Sequence, residues 1–190
     1  NKDKQSNYSM DFDGSSQYID TTDKFDFIHN TKIFSISVWV KMDSYNTNVS
    51  SVILGNNYTS SQIGFQFWID NRQNAAGRTE ALKFNLWDGT NSSDLLEDNV
   101  VSDNNWHNYV VVGDGTTLKY YKDGTQLTDT DSLPASTSST AFANLRLGAN
   151  TISTPSSYLD GKIDGVSVFN YALSSSQVTT LYGSSSTGIG

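Results

Sequence analysis

The sequence predicts an all-β domain built as an antiparallel sandwich, with one short helix near its C-terminus. Three observations carry that prediction. Short runs of alternating apolar and polar residues recur along most of the chain, the period-two signature of half-buried strands. Asp-Gly pairs at 13–14, 88–89, 114–115 and 123–124 punctuate these runs, and such pairs supply the positive φ that tight turns require. A single stretch reads as helix, so no strand–helix–strand repeat is available to build a parallel sheet.

The elements follow in order. Tyr8 to Phe12 alternates and ends at Asp13-Gly14. Phe34 to Lys41 puts Phe34, Ile36, Val38 and Val40 on one face. Ser51 to Gly55 is a short apolar strand. Gly64 to Ile69 gathers Phe65, Phe67 and Ile69 and turns Gln66 and Trp68 the other way; Leu82, Phe84 and Leu86 repeat the pattern before Asp88-Gly89. A hairpin of Trp106 to Gly113 and Leu118 to Lys122 follows, then Leu145 to Gly148 and Tyr158 to Phe169. The helix is expected from about Ser174 to Tyr182, with Ser174 as N-cap and Gln177 at the capping-box position. Polar connections are expected at 45–50, 56–62, 70–80, 91–98 and 131–140.

The 190 residues suit one domain. Hydrophobic content is 36 %, but aromatics reach 12 %, too many for a disordered chain. The net charge is -8 and no Lys/Arg cluster occurs, which excludes nucleic acid and anionic membrane as partners bound through basic patches. The acidity suits divalent cations and neutral polar ligands, or solubility alone. Without cysteine there is no disulfide, thiol chemistry or cysteine-type zinc site. No apolar run approaches a membrane span. The expected organisation is a lead-in at 1–7, one domain at 8–182, and a Gly/Ser linker at 183–190 toward a following module.

With these residues in view, the chain resembles the laminin-G-like jelly-roll domains of the concanavalin A-like lectin/glucanase superfamily. The resemblance rests on Asp11-Phe12-Asp13-Gly14 with Tyr18-Ile19, Phe34 to Val40, and Ser51 to Gly55. It continues through Trp106-His107, Tyr121-Lys122-Asp123-Gly124, Leu145 to Gly148, and Gly161-Lys162-Ile163-Asp164 before Ala172-Leu173-Ser174. It implies a two-sheet jelly-roll with a concave and a convex sheet. It leaves open whether the module binds glycans, binds proteins or acts as a spacer.

Catalysis finds little support in the residues. Glucanases of the resembled superfamily carry two Glu on alternate positions of one strand, flanking the scissile bond. Here the only glutamates are Glu80 and Glu97, seventeen positions apart, and no Gly-x-Ser-x-Gly elbow exists. The chain reads as a non-enzyme. For metal, the resemblance implies calcium held by Asp13 and Asp164, from the first and last strands, with carbonyls and water completing six to eight oxygens. The competing reading gives Asp13 to its own turn and Asp164 to a solvated strand face. For sugar, Trp39, Trp68 and Trp87 lie opposite the apolar faces of their strands, and outward indoles are informative. Trp39 fits packing better. Trp68 and Trp87, with Tyr45 and Tyr58 from polar loops, are the expected ligand-binding residues.

The expected function is therefore a non-catalytic recognition module, its leading ligand a glycan or cell-surface polysaccharide. It would work beside neighbouring modules in an extracellular, cell-surface or virion-surface protein. The alternative is a structural or protein-interaction module of a phage or cell-surface assembly.

Overall fold

The computed structural model describes residues 9–44, 50–57, 62–70, 81–98, 104–135, 139–151 and 154–187. The first half of the chain holds β1 (Met10–Asp13), β2 (Ile19–Asp20), α1 (Phe27–Thr31), β3 (Ile33–Met42), β4 (Ser50–Gly55), β5 (Gly64–Asp70), β6 (Ala81–Trp87) and β7 (Ser92–Glu97). The second half holds β8 (His107–Asp114), β9 (Thr117–Lys122), β10 (Thr125–Ser132), β11 (Arg146–Leu147), β12 (Asp160–Phe169) and α2 (Ser175–Thr187). They form two six-stranded antiparallel sheets, in the orders β1-β12-β3-β8-β9-β10 and β2-β11-β4-β5-β6-β7. This is the expected jelly-roll sandwich.

The core is the sum of the inward faces read from alternation. Phe34, Ile36, Val38 and Val40 of β3 are buried against Phe65, Phe67 and Ile69 of β5 and Leu82, Phe84 and Leu86 of β6. Phe84 is the hub: its ring centroid lies 5.9 Å from Phe34, 5.8 Å from Phe65 and 6.1 Å from Phe67. Stacked and edge-to-face ring pairs at such spacings add to the area term.

The outward face of the first sheet is closed by α2. Its capping box forms as expected: Ser174 Oγ accepts from the Gln177 N–H at 3.3 Å, and Gln177 Oε1 accepts from the Ser174 N–H at 2.8 Å. Leu173 and Val178 join Val110, Val112 and Tyr121 in a second small core. Buried Ser35 anchors the approach to the helix, donating to the Tyr171 carbonyl at 3.0 Å and accepting from the Leu173 N–H at 2.9 Å. The helix runs to Thr187, so its last turns occupy residues expected to be linker.

The β9–β10 turn passes through Asp123 and Gly124 at φ 51° and 77°, the paired positive angles of a primed hairpin turn. Asp123 also locks the start of β8: its Oδ2 lies 2.6 Å from His107 Nδ1 and its Oδ1 accepts the Asn108 N–H at 2.9 Å.

Four elements depart from expectation: β2, α1, β7 and β10. Residues 91–98, expected as a polar connection, contain β7, and β10 extends the hairpin to a third strand. Helix α1 is a single five-residue helix with no side-chain N-cap bond. The edge strands β7 and β10 meet along one margin of the sandwich. There Asp131 Oδ2 accepts the Asp94 N–H at 2.8 Å and Asp129 Oδ2 accepts the Leu96 N–H at 2.6 Å. Glu97 answers by accepting from the Asp129 N–H and the Thr128 hydroxyl at 2.8 and 2.7 Å. Carboxylates thus satisfy donors that an edge strand otherwise leaves to water.

Candidate functional site

The two outer faces differ. On the first sheet, Trp39 stacks against Tyr182 of α2 with centroids 5.7 Å apart, so this indole is a packing residue. On the second sheet, Trp68 and Trp87 project from β5 and β6 opposite the buried Phe and Leu positions and remain partly exposed. Tyr45 and Tyr58 lie outside the described residues.

Between the indoles the register builds a polar row. Asp20, Arg146, Gly55, Gln66, Asn85 and Asp94 stand opposite one another across all six strands of the second sheet. Asn85 donates to Asp94 Oδ1 at 2.7 Å. Arg146 makes a two-pronged pair with Asp20, at 2.6 Å from Nε and 3.1 Å from Nη2, and its guanidinium lies 4.2 Å from the Tyr18 ring centroid. Among the described residues the Gln66 side-chain amide has no partner. One row away, Trp68 faces Lys83, whose Nζ lies 5.9 Å from the indole centroid and 2.7 Å from Asp70 Oδ2. Asn85 is buried, so the face offers partly exposed aromatic surface at two ends and the Gln66 amide and exposed Asp94 carboxylate on the row between.

Trp87 is set by the turn that follows it. Asp88 Oδ1 accepts the Thr90 and Asn91 N–H groups at 2.9 and 2.8 Å, and Oδ2 lies 3.0 Å from Lys32 Nζ, both side chains being fully buried. Lys32 also donates to the Ala135 carbonyl at 2.7 Å. Burial alone would raise the Asp88 carboxyl; the Asn91 and Thr90 N–H groups and the Lys32 ammonium outweigh it and hold it below the usual value. The ion pair joins the strand entering the first sheet to the turn leaving β6, tying the two sheets at this end.

The two metal candidates are not brought together. β1 does pair with β12, but the register sets Asp13 opposite Asp160. Asp164 lies four residues further along β12, about 13 Å at the rise of a strand. Asp13 spends its oxygens on its own turn, Oδ1 accepting from the N–H groups of Ser15, Ser16 and Gln17 and Oδ2 from the Ser16 hydroxyl. These bonds, the Ser16 hydroxyl first, hold its carboxyl far below the usual range. Asp164 Oδ1 accepts from the adjacent Gly165 N–H. Nearby, Lys162 supplies the positive charge, 2.9 Å from both Asp11 and Asp43. No cluster of three or more His, Asp or Glu forms a ligand set among the described residues. A hard cation wanting six to eight oxygens does not fit the pair of Asp13 and Asp164.

Alternation identified Trp68, Trp87 and Gln66 but not the rest of the row. Asn85–Asp94 depends on β7 being a strand, and Asp20–Arg146 on a pairing between segments more than a hundred residues apart.

The architecture defines an all-β jelly-roll module with α2 packed on the outer face of one sheet and two partly exposed indoles on that of the other. The chain belongs to the concanavalin A-like lectin/glucanases superfamily, matching the family's laminin-G model over residues 13–179. Among solved structures, it is similar to the receptor-binding domain of a botulinum neurotoxin C/D mosaic serotype, at 14 % identity and TM-score 0.65, covering 92 % of this chain and 45 % of that one. A botulinum neurotoxin DC binding domain in complex with rat synaptotagmin II matches at 16 % identity and TM-score 0.61, over 88 % of this chain and 39 % of that one. The same toxin's binding domain in complex with SialylT matches at 15 % and 0.63, over 91 % and 42 %. At these identities the likeness is one of fold, and this chain spans less than half the length of those it matches. No curated protein matches it in sequence. No helix among the described residues is long and apolar enough to cross a membrane.

Proposed function

We propose that this chain is a non-catalytic recognition module that takes a carbohydrate on the outer face of its second sheet, in an extracellular or surface setting. The observation that carries the reading is the pair of partly exposed indoles, Trp68 and Trp87, bracketing the partly exposed amide of Gln66. Indoles offer flat apolar surface to the C–H face of a sugar, while a few convergent amides orient its hydroxyls. Glu97, one of the two glutamates, is committed to the β7–β10 margin, which supports the non-catalytic part. The family and the receptor-binding descriptions of its structural neighbours support a binding role in general.

A second reading, a module that binds protein, draws on the exposed Phe142, Tyr171 and Ile33 at 50, 47 and 43 %. The test is a glycan array probed with the multivalently displayed module and with W68A/W87A. Binding that the double variant loses supports the carbohydrate reading. A blank array with the parent rejects it and favours the protein ligand.

A further inference from the structure

We infer that the ligand of this face is an uncharged oligosaccharide engaged over more than one ring, and not an anionic glycan terminus. The inference rests on the carbohydrate reading above and narrows it.

The first argument is electrostatic. Two cations stand on this face among the described residues, and both are committed. Lys83 is held by Asp70 at 2.7 Å. Arg146 is held more firmly: Asp20 takes Nε and Nη2, the Asn150 carbonyl takes Nη1 at 2.8 Å, and Tyr18 covers the guanidinium plane. Among the described cations, a sialic acid, uronate or sulfate could gain an ion pair only by displacing Asp20 or Asp70. The displaced carboxylate would then stand beside the incoming anion, and like charges at that range oppose binding. Asp94 on the same row and the chain's net charge of -8 add to the repulsion. Hydroxyl groups need no displacement. They can donate to the Asp94 carboxylate in charge-assisted bonds and exchange hydrogen bonds with Gln66.

The second argument is spacing. Trp68 on β5 pairs with Lys83, and Trp87 lies four residues further along β6. With the rise of a strand and the distance between neighbours, the two positions are about 14 Å apart. Gln66 and Asn85 occupy the row between them. One hexose is far shorter than that gap, so a ligand touching both indoles must be a chain.

The experiment uses a graded glycan array with the multivalently displayed parent, D20N and W68A/W87A. Probes are neutral oligosaccharides of one to four rings, sialylated and uronate-bearing oligosaccharides, and sulfated oligosaccharides, at low and high salt. Expected is neutral binding, insensitive to salt, strengthening about tenfold or more as the chain lengthens to reach both indoles. D20N, which removes the negative charge paired with Arg146 and keeps one carbonyl acceptor, should add binding to acidic probes. Parent binding to acidic probes that salt abolishes would overturn the inference and leave the carbohydrate reading standing. Length-independent neutral binding would overturn it likewise, whereas neutral binding that survives in W68A/W87A would overturn both the inference and the placing of the carbohydrate on this face. A blank array with the parent overturns both.

Discussion

Replacing Lys32 with Met tests how much of the sandwich depends on one buried charge pair. Met keeps an unbranched stem of similar length, and Lys32 sits at φ 58°, so the backbone strain is the same before and after. What changes is the ammonium. Asp88 loses the partner at 3.0 Å and the Ala135 carbonyl loses its donor at 2.7 Å. Stranding one member of a buried pair costs about 3–5 kcal/mol. Asp88 retains two backbone N–H donors, which favours the lower end, about 3 kcal/mol. The orphaned carbonyl adds about 1 kcal/mol. At about 2–4 °C per kcal/mol for a chain of this size, K32M should melt roughly 8–16 °C below the parent. The double variant K32M/D88N no longer buries an unpaired charge and should recover at least half of that loss, so the coupling exceeds about 2 kcal/mol by whatever D88N costs alone. The assay is thermal unfolding by calorimetry or circular dichroism at neutral pH. A K32M melting temperature within about 2 °C of the parent would refute the reasoning. So would a double variant that falls as far as the sum of the singles.

The remaining predictions concern pH, the open face, the helix strap and calcium. Burial holds the His29 imidazole below its ordinary value of 6.5, so the unfolded chain binds its proton first, and stability full above pH 6.5 falls as pH drops. H29Q should remove that stage of a melting-temperature profile and leave the later fall below pH 3.8, where Asp88 contributes. W68A and W87A should each cost about 1 kcal/mol, or roughly 2–4 °C, while abolishing glycan capture on the array. S174A removes the Oγ half of the capping box, leaving the bond from the residue 174 N–H to Gln177, and should cost about 1 kcal/mol, seen first as a change in Trp39 fluorescence because Tyr182 stacks on that indole. Calcium and chelator should leave the melting temperature unchanged, and D13A should lower it equally in both, since Asp13 serves its own turn.

Much of this fold was legible because most strands carry at least two fully buried, alternating residues. Phe34, Ile36 and Val38, or Leu82, Phe84 and Leu86, leave no second register that buries them. The strands that escaped notice are the polar margins. β2 and β10 have no buried residue, and of the two in β7, Ser93 and Leu95, only Leu95 is apolar, so none presents a hydrophobic period. Helix α1 is too short to show one. Of the site, the outward Trp68 and Trp87 followed from parity, whereas the amide row required the order of the strands. The same limit explains Asp13 and Asp164. Neighbouring strands were expected and found, but the four-residue offset in register was invisible in either strand alone.

The β7–β10 margin has a consequence for how such modules behave in a crowd. Sandwiches held at high local concentration risk zipping together, each exposed edge serving as a template for its neighbour's backbone. Here Asp129 and Asp131 occupy the very N–H groups of β7 that a foreign strand would recruit. An approaching strand would have to evict two carboxylates and face their charge. The module can therefore be packed densely on a surface with that flank chemically mute, its sheet ending as if a further strand were already in place.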